Sequence, residues 1–295
     1  MSTSIWTIIL CVFCLLFSGY GGAELQPEDM PVQPQAVLPQ SGDEGSEVRI
    51  AAIESDVIGD GGKSTLELYA SLDEYGNPLV WSVRQNGVEK ARLEQNEPGT
   101  FSADAVLQTE DLDGDGKREV LIYRRSSGSA GAVGLTVLGP SRQWTALFSL
   151  DDPFALGGGS GGTAEGRYAV TYAGDGRVRF VDAQAHLDAL LPLDMEKYEL
   201  MDKTAVNRWL ERMEAWIDPV SEYVVADEDG DGVSEIVTVQ RIIGISHPDT
   251  IGFLKTTYRL EINGYKAVSE AVFDGQDRLV EQVRLGDASE DKHER

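Results

Sequence analysis

Two ten-residue stretches carry side chains whose types and spacing suit chemistry. They are Glu110-Asp111-Leu112-Asp113-Gly114-Asp115-Gly116-Lys117-Arg118-Glu119 and Ala226-Asp227-Glu228-Asp229-Gly230-Asp231-Gly232-Val233-Ser234-Glu235. Each places three carboxylates on alternate positions, a glycine after the third, and a further acid three residues on. A hard cation such as Ca²⁺ takes about six to eight oxygens, and alternation lets a tightly curved loop turn Asp111, Asp113 and Asp115 inward. Gly116 and Gly232 fall where the loop must turn sharply, a place where positive φ costs glycine little. Lys117 and Val233 then offer backbone carbonyls. Glu119 and Glu235 complete the shell from the first residue of a strand. The expected ligand sets are therefore Asp111, Asp113, Asp115, Lys117 and Glu119 in one copy, and Asp227, Asp229, Asp231, Val233 and Glu235 in the other. An EF-hand is excluded, because its twelfth loop position must be Glu and here it is Ile122 or Thr238. Without a cation such loops crowd like charges together, which disfavours ionisation.

The repeated phrase resembles the calcium loop of FG-GAP and VCBS repeats, which occur in integrin-alpha-type β-propellers and in many secreted bacterial proteins. The segment from Asp227 to Leu260, with Gly244-Ile245-Ser246-His247-Pro248-Asp249-Thr250-Ile251-Gly252 after its loop, is similar to uncharacterised secreted VCBS-repeat-containing proteins of Gram-positive bacteria. The resemblance implies Ca²⁺ at the loops and a β-rich extracellular domain. It implies no established activity.

The elements that must position these loops read as short strands with turn signals between them. Arg49 to Ile53, Thr65 to Ser71, Leu79 to Arg84 and Val88 to Leu93 follow one another, the last two joined by Asn86-Gly87. Asn-Gly between alternating runs is a strong hairpin signal. It recurs at Asn263-Gly264 between Thr257 to Ile262 and Tyr265 to Ala271, and Asp175-Gly176 joins Tyr168 to Tyr172 with Arg177 to Val181. The two loops begin 227 − 111 = 116 residues apart, which fits two units of about 58. One unit back lies Asp56-Val57-Ile58-Gly59-Asp60-Gly61, which looks like an eroded loop of the same kind but is read as a plain turn because Ile58 stands at the third ligand position. One unit forward lies a strand without an acidic loop. The expected fold is mainly β and antiparallel, with partial β-propeller-like repeats and one short amphipathic helix; a β-sandwich-like α+β fold is the alternative. The helix is expected over 202–218, with Asp202 as N-cap, Pro219 just past its end, and Ala205, Val206, Trp209, Leu210, Met213, Trp216 and Ile217 packed on the sheet.

The chain divides into a signal peptide at 1–23, a Pro/Gln-rich linker at 24–47, a repeat domain at 48–285 and a polar tail at 286–295. The apolar run from Ile8 to Phe17 is short for a membrane span, and small residues from Ser18 to Ala23 follow it, as in a secretory leader; a retained N-terminal anchor is the alternative. Both cysteines, Cys11 and Cys14, lie in that leader, so the mature domain has no disulfide. Localisation is expected to be secreted or at the extracellular cell surface.

Fifty acidic and 25 basic residues in 295 give a formal charge of −25. Nucleic acid, which needs clustered Lys and Arg, is therefore not an expected partner. A membrane enters only through the N-terminal segment. Gly157 to Gly162 is Gly-rich but lacks the Gly-Lys-Ser/Thr of a phosphate loop. Of the three histidines only His247, beside Asp249, is placed for anything, and a His-Pro-Asp turn reads as structural. No nucleophile and base pair emerges, so no catalysis is expected. These features point to a calcium-binding, secreted or surface β-repeat protein that binds or adheres to an unknown protein or glycan; the alternative is an extracellular hydrolase or inhibitor acting on cell-wall or polysaccharide substrates.

Overall fold

A computed structural model describes residues 46–95, 99–126, 128, 130–151, 167–198, 202–212, 217–246 and 249–286. The leader, most of the linker, Gly157 to Gly162, Met213, Trp216, His247 and nearly all of the tail lie outside the described residues.

The protein is mainly antiparallel β, built from four sheets met in chain order. Sheet A comprises β1 (Glu47–Ser55), β2 (Ser64–Leu72), β3 (Pro78–Gln85) and β4 (Val88–Glu94). Sheet B comprises β5 (Ala105–Glu110), β6 (Glu119–Arg125), β7 (Val133–Gly139) and β8 (Thr145–Ser149). Sheet C holds β9 (Tyr168–Gly174), β10 (Arg177–Asp182) and β11 (Leu187–Pro192). Sheet D holds β12 (Ile217–Ala226), β13 (Glu235–Ile243), β14 (Thr250–Glu261), β15 (Gly264–Asp274) and β16 (Leu279–Arg284). Each sheet is a simple meander, every strand bonded to its chain neighbour, and the sheets do not close into a barrel. The packing is β-sandwich-like.

Side-chain patterning explains how the sheets layer. In β2 the burial alternates strictly, with Leu66, Leu68, Ala70 and Leu72 inward, the signature of one buried face. By contrast β6 is buried at Val120, Leu121 and Ile122 without alternation, because sheet B is covered on both faces. Val120, Ile122 and Leu138 meet sheet A around Trp81 and Phe101. Leu121, Leu135, Val137 and Phe148 meet Ile236, Tyr223 and Tyr258 of sheet D. Farther along its strands the same face of sheet D is covered by sheet C, where Ile242, Leu254 and Val272 pack with Val178, Phe180 and Leu191. Sheets A, B and D are therefore layered in that order, and sheet C shares one face of sheet D with sheet B.

The helix is shorter than its apolar pattern predicts. α1 spans Lys203–Glu211, and the Asp202 carboxylate caps it by accepting the Ala205 N–H at 2.9 Å. Val206 and Leu210 are buried in the core between sheets C and D. Trp209, expected in that core, is 49% exposed. Ile217, Asp218 and Pro219 belong to β12 rather than to the helix end, Ile217 pairing with Ile242. Pro219 is tolerated because β12 is an edge strand and the register slips between Ile217 and Val220.

Three loops project from one end of this stack, each joining the first strand of a sheet to the second. They are 56–63 in sheet A, 111–118 in sheet B and 227–234 in sheet D. The first, expected to be a plain turn, has the build of the other two: Asp56, Asp111 and Asp227 accept the N–H five residues on, from Gly61, Gly116 and Gly232, at 2.7, 3.0 and 3.0 Å. Asp60, Asp115 and Asp231 each accept the N–H two residues on, at 2.8 Å. The loops also stack on one another by a repeated rule. The Val57 carbonyl accepts the Arg118 N–H, and the Leu112 carbonyl accepts the Ser234 N–H. A Cβ on Gly59 would stand 2.4 Å from the Gly116 carbonyl oxygen, and one on Gly114 2.8 Å from that of Gly232. Only glycine permits that approach. Between the stacked backbones, Val57 plugs the A–B core and Leu112 the B–D core, each burial stabilising by roughly 1.5–3 kcal/mol.

This contact separates two glycines of the same loop. Both Gly114 and Gly116 have positive φ, but a Cβ on Gly116 meets open space. Urea denaturation should show Gly116→Ala destabilised by about 1–2 kcal/mol from backbone conformation alone, and Gly114→Ala by a further 1–3 kcal/mol, roughly, from overpacking. Equal losses would remove the stacking contact as a source of stability.

Candidate metal centres

The second loop brings Asp111, Asp113 and Asp115 together, one oxygen of each lying within 4.8 Å of the others. The third brings Asp227, Asp229 and Glu235 together on the same criterion. Ca²⁺ sits about 2.3–2.6 Å from each oxygen, so ligands on opposite sides of an ion are about 5 Å apart. Both clusters have that span. Glu119 and Asp231 stand outside the clusters. Lys117 and Val233 turn their N–H groups to Asp115 and Asp231.

Strand geometry separates the roles of the two glutamates from those of the aspartates. Glu119 and Glu235 open β6 and β13 and are buried, at 1% and 2% exposure. Their Oε2 atoms reach back into the loop, accepting the N–H of Leu112 and of Glu228, each at 3.0 Å. They fasten the second residue of each loop to its seventh neighbour. Burial pushes the Glu119 carboxyl above its ordinary range; the Leu112 N–H pulls it down, and the charge on Asp113 adds to the rise. Asp115 moves the other way, since the Lys117 ammonium at 2.6 Å and the Lys117 N–H hold its carboxyl low.

Cations of the protein itself compete for both clusters. Arg142, from the turn before β8, reaches Asp113 at 3.2 Å. Arg259 of β14 pairs with Asp229 and, at 3.2 Å, with Glu235. These partners lie 29 and 30 residues from the first aspartate they meet, so loop spacing gave no sign of them. The first loop's likeness did leave a signal, the shared Asp-x-x-Gly-Asp-Gly pattern. It lacks two of the carboxylates, with Ile58 and Ser64 in their places.

One atom in the second loop has no compensation. Asp111 Oδ1 is buried with no hydrogen-bond partner among the described residues. A buried, unpartnered carboxylate oxygen is costly, and a bound cation would relieve it. The donor set in this loop therefore fits a hard metal ion.

Residues 167–273 match the YybI C-terminal domain. That span runs from the start of sheet C to the end of β15 and so includes the third loop but not the second. An uncharacterised protein YybI of Bacillus subtilis (strain 168) is 27% identical over 159 residues, 53% of this chain and 56% of that protein. The chain thus spans about half the length of the curated relative it matches. Among solved structures, a Bacillus licheniformis rhamnogalacturonan lyase PL11 aligns over 82% of this chain and 38% of its own, with 12% identity and a TM-score of 0.35.

The buried glutamates yield a prediction that needs no metal. In EDTA, Glu119→Ala should lose about 1–3 kcal/mol in urea unfolding, because the buried Leu112 N–H is left without an acceptor. Asp115→Ala, removing a partly exposed side chain, should lose less than about 1 kcal/mol. The reverse order would assign Glu119 no part in holding the loop.

Proposed function

We propose that the chain is a calcium-binding β-repeat protein, secreted or held at the cell surface, that works as a binding or adhesion module with the metal in a structural role. Asp111 Oδ1 carries this reading: it is a buried carboxylate oxygen without a donor, inside a cluster of three aspartates. Asp111, Asp113 and Asp115 supply oxygens in the second loop, and Asp227, Asp229 and Glu235 in the third; the Lys117 and Val233 carbonyls and the carboxylates of Glu119 and Asp231 complete the shells after local adjustment. The first loop takes no ion, because Ile58 and Ser64 replace two carboxylates. A cation in the second and in the third loop neutralises the acidic end of the stack and stiffens the surface there. A formal charge of −25 makes such neutralisation favourable, and suits a partner approached through metal-ordered loops rather than a polyanion.

The two sites differ in strength. Two carboxylates of each meet protein cations, Asp113 and Asp115 through Arg142 and Lys117, Asp229 and Glu235 through Arg259. But both oxygens of Asp227 also accept backbone N–H groups, whereas Asp111 Oδ1 is unpaired among the described residues. Calcium has more to displace in the third loop and binds there more weakly.

Thermal unfolding in EDTA and in about 2 mM Ca²⁺ tests the metal sites. With dissociation constants on the order of 0.1 mM, each site adds roughly 1.8 kcal/mol, and the melting temperature should rise by several degrees. Asp113→Ala combined with Asp229→Ala should abolish the rise. An unchanged melting temperature with no calcium heat in calorimetry would falsify the reading.

Calorimetry also tests the order of the sites. Arg259→Gln should tighten the weaker site severalfold and leave the tighter one as it was. If it instead changes the tighter site, the order of the loops is reversed.

A further inference from the structure

A second acidic centre lies away from the loops, at the junction of sheets C and D. Arg167, at the start of sheet C, donates from Nε to Asp182 Oδ2 at 2.9 Å and from Nη2 to Glu270 Oε1 at 2.6 Å. Its guanidinium lies 4.6 Å over the ring of Tyr168. Asp182 is satisfied throughout, since its Oδ1 also accepts the N–H groups of Gln184 and Ala185. Glu270 of β15 is not. It is 2% exposed, and its Oε2 is buried with no hydrogen-bond partner among the described residues. The same glutamate forms part of the wall of a cavity of about 290 Å³, lined also by Arg167, Tyr168, Tyr258, Thr256 and Gln184.

Charge and hydrogen bonding define what such a cavity takes. Two buried carboxylates face one guanidinium, leaving one negative charge removed from water. An unpaired buried charge costs several kcal/mol, roughly. Anions are therefore excluded. A calcium-like ion needs about six oxygens, and the centre has one free carboxylate oxygen. A neutral hydroxyl would satisfy Oε2 without balancing the charge, whereas an ammonium group does both.

We propose that the cavity between sheets C and D binds a small organic amine, its ammonium group donating to Glu270 Oε2 and supplying the missing positive charge. Arg167 positions the carboxylate from the opposite oxygen, and Asp182 locks Arg167. The proton is the competing occupant: burial lifts the Glu270 carboxyl to about 7, Arg167 opposing and Asp182 reinforcing the rise. Ligand binding is therefore strongest above neutrality, where Glu270 is ionised. The proposal does not depend on calcium at the loops.

Ethanolamine and ethylene glycol have nearly the same shape and differ by an ammonium in place of a hydroxyl. Calorimetric titration of the full chain at about pH 8, where free amines of this kind are charged, should show saturable binding of ethanolamine. Ethylene glycol should bind at least about tenfold more weakly, as should ethanolamine to Glu270→Gln, the loss expected of a charge-assisted hydrogen bond. Glu270→Gln should melt no lower than the parent at that pH, because the amide carries no charge to bury. Ala267→Leu, which fills the cavity and leaves Glu270 in place, should also abolish binding. Silence with both compounds, equal affinity for them, or ethanolamine binding that survives both substitutions would overturn the proposal.

Discussion

The contact on which the rest depends is the approach of one loop's backbone to the next. A glycine α-carbon in the first loop meets the carbonyl of Gly116, and one in the second meets the carbonyl of Gly232, so three loops stack with a single repeated geometry. The N–H groups of Arg118 and Ser234 tie the same pairs together. Because each loop leaves the first strand of its sheet, stacking the loops stacks sheets A, B and D in that order. The apolar residue at the second loop position then lands in the inter-sheet core, as Val57 and Leu112 do. Among the described residues no further loop stacks on the third, and there the corresponding residue is the charged Glu228. Sequence, loop conformation and sheet packing thus agree at one site, which is the consistency expected of a sequence that specifies one structure.

The aspartates serve that backbone before they serve any ion. In all three loops the first aspartate accepts the N–H of the glycine five residues on, so a loop conformation common to all three persists where only two have the full set of acids. Asp56 shows this most simply. Against a desolvation cost, the N–H groups of Gly61, Gly59 and Ile58 hold its carboxyl below its ordinary range, as hydrogen bonds to a charged form do. The additional carboxylates of the second and third loops exceed what the backbone requires. Their partial pairing with Arg142, Lys117 and Arg259 leaves negative charge that a cation can meet.

Much of this architecture was legible in the chain because its signals are local. Asn86-Gly87 and Asp175-Gly176 mark hairpins that form, and the 116-residue spacing of the two acidic phrases reflects repeated meanders. The misreadings arose where distant residues decide. Trp209 lies on the helical stripe, but α1 is short and buries only Val206 and Leu210, so the indole faces solvent. Pro219 looks like a helix stop, yet Ile217 and Val220 find partners in β13 and draw the proline into an edge strand. Ile58 removes a ligand and so disguised the first loop, although the glycines that set its shape remain. Arg259 and Glu270 come to their sites through strand register in sheet D, which no spacing rule discloses.

Sheet C shows what replaces the loop stack when the acidic phrase is missing. Its first turn is the short Gly174-Asp175-Gly176 connection, where Gly176 faces Met195 rather than another loop. The sheet is held instead by the apolar core around Phe180, Leu191, Ile242 and Leu254, and by Arg167 reaching across to Glu270. An apolar core alone is tolerant of sliding, since many hydrophobic packings have similar energy. A buried arginine between two carboxylates is not, because any displacement strands a charge. Its two partners, Asp182 at the end of β10 and Glu270 on β15, thereby fix the register of sheet C on sheet D. That constraint is bought with an imperfectly neutralised centre, and the glutamate left over lines the cavity beside it.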